Sequence, residues 1–181
     1  GACKRKGNDL MSFEIKRACQ SDAGIIAKII CESWKEAYKD IISKEFITQK
    51  TNIDERTKLF EKILYENKQV IYLVFDNDKP CGVCTCDVSK DADLTDTFEI
   101  IAIYFLPEYW NKGYGTKTMT YVIGQIKDKG YNRISLWTLE NNEQAKHFYE
   151  KCGFVSDIIR KCDFDNSLNY ERFIYNLKNK R

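Results

Sequence analysis

The hydrophobic positions of this chain change period repeatedly, and each change marks an element. Phe13-Glu14-Ile15-Lys16-Arg17-Ala18 alternates apolar and polar residues, the two-residue period of a half-buried strand. After Ser21-Asp22, which reads as a helix cap, Ile26, Ile29, Ile30 and Trp34 recur at helical spacing, and Ser33-Trp34-Lys35-Glu36-Ala37-Tyr38 runs to that helix's end. A break over 40–43 precedes a second helical region. Its clearest part starts at Asn52, with Glu55 in capping register, and is expected to bury Leu59, Phe60, Ile63 and Leu64.

Val70 to Phe75 and Cys81 to Val88 read as strands joined by the polar turn Asp76-Asn77-Asp78-Lys79-Pro80. A charged loop, Lys90 to Asp96, leads into an Ile-rich strand ending at Leu106. The next helix puts Met119, Val122, Ile123 and Ile126 on one face and stops at Lys129-Gly130. Arg133 to Thr138 is a short strand. A helix capped by Asn142 then carries Ala145, Phe148, Tyr149 and Cys152 on one stripe, ending at Gly153. Strands over 154–162 and 168–177 close the chain around a turn at 163–167. No repeat, low-complexity tract or linker divides residues 11–181, so a single domain is expected. Met11 is the first methionine, and residues 1–10 read as a tag remnant or a disordered N-terminal extension.

The 181 residues suffice for a domain that buries roughly 70% of its unfolded surface. The 29 basic and 27 acidic residues leave a net charge of +2, so no basic field points to nucleic acid. The terminal clusters Lys4-Arg5-Lys6 and Lys178-Asn179-Lys180-Arg181 read as solvated tails. No apolar run approaches the ~20 residues of a membrane span, and the expected location is the cytoplasm. Of the eight cysteines, only Cys81, Cys84 and Cys86 are spaced suggestively. On a strand Cys84 and Cys86 face one way and Cys81 the other, and the only histidine, His147, lies far along the chain. No metal site is expected. The cysteines read as reduced, small apolar residues.

One segment carries chemistry. Asn111-Lys112-Gly113-Tyr114-Gly115-Thr116 follows a strand and opens directly into a helix. Unpaired backbone N–H groups and the positive end of the helix dipole converge at such a start, which therefore suits an anion such as a cofactor phosphate. Gly113 and Gly115 let the backbone bend tightly and approach the anion without a Cβ between.

Trp110-Asn111-Lys112-Gly113-Tyr114-Gly115 and Asn142-x-x-Ala145-x-x-Phe148-Tyr149-Glu150-Lys151-x-Gly153-Phe154, in this order across a helix and a strand, resemble the cofactor-binding half of the GNAT superfamily of acetyl-CoA-dependent N-acyltransferases. Trp110 departs from the family's usual Gln or Arg. The element order agrees with that family over 13–177, which implies an α/β (α+β) GNAT fold: a central mixed, mostly antiparallel sheet flanked by about four helices. The resemblance implies acetyl-CoA as co-substrate and direct acetyl transfer, through a tetrahedral intermediate, to a primary amine of a small molecule or peptide. It implies a backbone N–H within Ile103-Tyr104-Phe105 at the thioester carbonyl. By the same resemblance Trp110, Asn111, Lys112, Gly113, Tyr114, Gly115 and Thr116 are expected at the phosphates, with Asn142 and Tyr149 along the cofactor arm. Tyr149 is the implied general acid, and its bland alternative is a core aromatic.

Glu99, fourteen residues before Gly113, stands in the register of the catalytic glutamate of the histone-acetyltransferase branch. It interrupts an apolar strand, which is costly unless a cleft wets the carboxylate. A solvent-facing strand end is the alternative, with Asp96 or an ordered water as other bases. Trp34 and Tyr38, in a stretch resembling the first helix of many bacterial members, are the substrate-side candidates. A CoA-binding module without turnover is the rival function. The expected partner is a small-molecule or peptide amine, and the expected state is a monomer or a homodimer.

Overall fold

Ser43, Asn52 and Asn142 each start a helix by accepting the backbone N–H three residues on, from Phe46, Glu55 and Ala145 respectively. Such caps stabilise a helix by about 1 kcal/mol each. The computed structural model describes residues 12–163 and 167–178. The expected extension over 1–10 and part of the 163–167 turn lie outside them.

The chain runs β1 (Phe13–Arg17), α1 (Ala23–Ala37), α2 (Lys44–Lys50), α3 (Ile53–Tyr65), β2 (Val70–Asp76), β3 (Lys79–Val88), β4 (Thr97–Phe105), α4 (Tyr114–Asp128), β5 (Arg133–Leu139), α5 (Glu143–Lys151), β6 (Val155–Cys162) and β7 (Asn169–Asn176). Short 3-10 turns precede α1 and follow β4. The sheet order is β1-β2-β3-β4-β5-β7-β6, and only β4 and β5 run parallel. This is the expected mixed, mostly antiparallel sheet, with the short α2 added to the four longer helices.

Alternation along the strands builds a core on each face. Leu73 and Val83 join Ile26, Ile29, Ile30 and Phe60 of α1 and α3. Their neighbours Tyr72 and Cys84 join Met119, Val122 and Ile126 of α4, with Phe148, Tyr149 and Cys152 of α5 packed alongside. Leu59 is a correction: it is 45% exposed while Phe60 is buried. The contact of α3 with α1 is narrower than the apolar stripe of its sequence. Cys84 and Cys86 share a face, their Sγ atoms 3.8 Å apart, whereas Cys81 packs with Val74, Phe105 and Tyr114. Burial pushes the Cys81 thiol up to about 12, which keeps it protonated. Among the described residues no His, Cys, Asp or Glu cluster is suited to a metal ion. No helix there is long and apolar enough to cross a membrane.

Two features of the sheet position the site. The first is a divergence at its centre. β4 pairs with β5 only from Thr97–Arg133 to Ile100–Leu136, although it continues along β3 as far as the Gly82–Phe105 pair. The β3–β4 register shifts beside this point, with Cys86 opposite Ile100 and Thr85 opposite Ala102, so Ile101 is the extra residue of a bulge. From Ile101 onward β4 has no strand partner on the β5 side.

The second feature is an ionic brace. Arg172 of β7 is buried and bonds Asp93 through both Nη atoms at 2.8 and 2.6 Å, and its Nε donates to Asp157 of β6 at 2.8 Å. Its Nη1 also lies 3.4 Å from Asp91, which accepts from Trp137 Nε1 at 3.0 Å. Neighbouring carboxylates lift the Arg172 pKa further above its ordinary value. The charged loop over 90–96 is thereby tied to β5, β6 and β7. Breaking one partner of such a buried network leaves an uncompensated charge.

Candidate active site

The gap between β4 and β5 opens into a cleft of about 1310 Å³. Its walls include Ile101–Phe105 of β4, the loop before α4, one face of α5, and the ends of α1, β5, β6 and β7. Almost every residue singled out by sequence meets here.

The loop before α4 is left-handed at two positions, Asn111 at φ 59° and Gly113 at φ 86°. Gly113 is the helix N-cap and contributes no side chain, so the first-turn N–H groups of α4 stay open to the cleft. Left-handed turns of this kind gather backbone donors into an anion-binding concavity.

The two glycines differ in role. A Cβ on Gly115 would stand 3.1 Å from the Phe148 ring, so Gly115 lets α5 pack against the start of α4. Tyr114 is buried between Phe105 and Tyr109, and burial, with Asp76 beside its hydroxyl, pushes its pKa up to about 12. Its backbone is therefore the part suited to a ligand. Trp110 Nε1 donates to the Phe105 carbonyl at 2.8 Å, so the indole clamps the end of β4. Lys112 is exposed with its ammonium 6.0 Å from the Tyr109 ring, and it does not line the cleft. Thr116 does.

Ile103 and Phe105 point their side chains into the cluster below the loop, and Tyr104 points toward α1. The Tyr104 hydroxyl lies 3.0 Å from that of Tyr38, and Trp34 packs edge-on against Tyr38 with ring centroids 4.8 Å apart. Burial raises both phenols, Tyr38 the more strongly. Trp34 and Tyr38 thus form the wall opposite α5.

Tyr149 on α5 occupies both environments weighed for it. Its ring packs against Phe154 and Phe173, with centroids 6.2 and 6.3 Å away, yet it also lines the cleft. Burial, then Tyr104 and the Cys84 and Cys152 thiols, holds its pKa well above that of an ordinary phenol, so it carries its proton. Among the described residues its hydroxyl makes no hydrogen bond. Asn142 spends its side-chain oxygen on the α5 cap and still faces the cleft.

Glu99 lies opposite Asp87 on β3 and Ser135 on β5, just before the divergence, and it lines the cleft. Burial, and next the Asp91 charge, raise its carboxyl above the ordinary value against the pull of Lys161. Asp96 instead sits at the base of β5, accepting from Asn132 Nδ2 at 2.8 Å, away from the cleft. His147 is exposed at the cleft rim. Trp137, Tyr170 and Lys161 also line the cleft and were not singled out by sequence. Each sits in an ordinary strand pattern, and only the placement of β7 between β5 and β6 brings them together.

The chain belongs to the acetyltransferase (GNAT) family, whose model matches residues 30–154. It is 26% identical over 165 residues to spermidine N(1)-acetyltransferase of Thermoplasma acidophilum, covering 89% of this chain and 99% of that one. It is 30% identical over 126 residues to [ribosomal protein bS18]-alanine N-acetyltransferase of Haemophilus influenzae, covering 70% and 74%. The fold is shared with the PaiA N-acetyltransferase of Thermoplasma acidophilum solved in complex with coenzyme A. That match has a TM-score of 0.71 and 22% identity, over 91% of this chain and all of the other. YncA of Salmonella typhimurium, solved with acetyl-CoA, gives a TM-score of 0.68 and 16% identity, over 93% and 96%.

Proposed function

We propose that this protein transfers an acetyl group from acetyl-CoA directly to a primary amine of a small molecule or peptide. The observation that carries this reading is the unpaired edge of β4 over 101–105, set in one cleft with a left-handed glycine at a helix N-terminus. The open donors of the α4 start fit the pyrophosphate, and the β4 edge fits an extended pantetheine arm and its thioester carbonyl.

Acetyl-CoA supplies the activated acyl group and a thiol leaving group. The backbone within Ile103-Tyr104-Phe105 polarises the acyl carbonyl. Glu99 accepts the proton that an alkylammonium must lose before it attacks. Tyr149 donates a proton to the departing sulfur. Trp34, Tyr38 and the Tyr104 hydroxyl face the acceptor, an aromatic wall suited to an alkyl chain bearing an amine. The protein acts in the cytoplasm without a metal.

Release of the CoA thiol with a panel of amines tests turnover, and its failure across the panel, with CoA binding intact, would favour a silent binding module. Binding itself has a separate readout. CoA at a hundredfold excess over its Kd stabilises the folded state by about 2.7 kcal/mol, a rise of about 5–11 °C in Tm for a chain of this size. Gly113→Val places a β-branched residue at φ 86°, so this rise should largely vanish even where the variant's own melting transition stays cooperative. An undiminished rise would move the phosphates away from this loop.

A further inference from the structure

The Lys161 ammonium, on β6, sits 4.1 Å from the centroid of the Trp137 ring and 6.0 Å from that of Tyr170. All three residues line the cleft, as does Glu99. Lys161 pairs with Tyr170 across the β6–β7 ladder, and Trp137 is anchored through its indole to Asp91. The aromatic seat is thus built by the sheet and braced by the Arg172 network. Among the described residues Lys161 forms no ion pair, whereas Lys146 and Arg160 nearby are committed to Glu171. Lys151 is the other lysine of the cleft, on α5. Of the two cleft lysines it is Lys161 whose charge acts on Glu99; Lys90, which also does so, does not line the cleft.

A primary amine on an alkyl chain, held over an aromatic face and lining the same cleft as the half-buried Glu99 carboxylate, has the chemistry of an acceptor. We propose that Lys161 is a self-acetylation site, its Nζ taking the acetyl group of a thioester bound in its own cleft. The inference rests on the acetyltransferase reading above. Glu99 takes one proton from the ammonium, and the freed amine forms a C–N bond to the acyl carbon as the C–S bond breaks. The thiolate leaves with the proton of Tyr149. The products are acetyl-Lys161 and free CoA thiol, with one proton released overall. The modification removes a positive charge and the cation contact with Trp137.

The full chain is incubated with acetyl-CoA and no added amine, and acetylated lysines are mapped by mass spectrometry, with Lys151 and the surface residue Lys58 as internal references. Effective concentration in the cleft should make Lys161 at least about tenfold faster than either reference. The fraction of Lys161 acetylated per unit time should be independent of protein concentration and should fall to the reference rate in urea or in Glu99→Gln. Lys161→Arg keeps the charge but takes no acetyl, and the references should then be unchanged. Equal rates at Lys161 and the references, or a fractional rate at Lys161 that falls with dilution, would overturn the proposal. The amine panel is run on the same sample. CoA release with added amine but no preferential Lys161 acetylation sinks self-acetylation alone, and silence in both assays removes the acetyltransferase reading together with it.

Discussion

Tyr149→Phe is expected to lower turnover ~10²-fold or more while leaving folding and CoA binding nearly unchanged. The ring stays packed against Phe154 and Phe173, and among the described residues the hydroxyl makes no hydrogen bond whose loss would cost stability. What disappears is a proton. Burial raises this phenol well above its ordinary pKa, which alone makes it a weaker acid. The same desolvation acts on a thiolate leaving beside it, raising its proton affinity from the ~8.5 of a free thiol. The two shifts offset each other, and transfer between matched partners in a dry cleft is the efficient case. Single-turnover kinetics should place the whole loss in the chemical step. Full turnover in the phenylalanine variant would return Tyr149 to a purely packing role.

The halves of this site differ in how far sequence reveals them, and the difference is one of contact range. The α4 start and the α5 stripe are local: a glycine after a strand, a cap at Asn142 and helical spacing over Phe148, Tyr149 and Cys152 stand within a few residues of one another. The part of the cleft lined by β5, β6 and β7 is not local. Trp137, Tyr170 and Lys161 come from three strands, adjacent only because β7 inserts between β5 and β6. The divergence of β4 from β5 was equally hidden, since an Ile-rich strand reads the same whether one edge or both are paired. Even within the motif, pattern left individual roles open. Gly115 makes room for Phe148, and Trp110 clamps the Phe105 carbonyl. Leu59 shows the converse failure: an apolar residue in helical register stays exposed where the neighbouring helix does not reach it.

Glu99→Gln should produce a loss that depends on pH. The glutamine keeps the shape of the side chain but cannot accept a proton, so activity near neutrality is expected to fall by ~10²-fold. An alkylamine with pKa ~10.4 is almost wholly ammonium there, and the variant must capture the rare free amine from solution. Its rate should then recover about tenfold per pH unit until the amine has titrated. Wild type should behave differently. The folded carboxyl has its pKa raised by burial and by Asp91, and it is an active base only when ionised. Wild-type activity should therefore decline as pH falls through that raised value, earlier than an ordinary carboxylate would allow, and stay flat above it. The raised pKa has a stability counterpart of the same sign as its cause. Burial of this charge opposes folding above the folded-state pKa and ceases to do so below the unfolded one, so Glu99→Gln should be no less stable than wild type at neutral pH. Parallel pH profiles for the two proteins would remove Glu99 as the base and leave an ordered water in that role. A variant that unfolds at neutral pH would show instead that the carboxylate is needed for the fold.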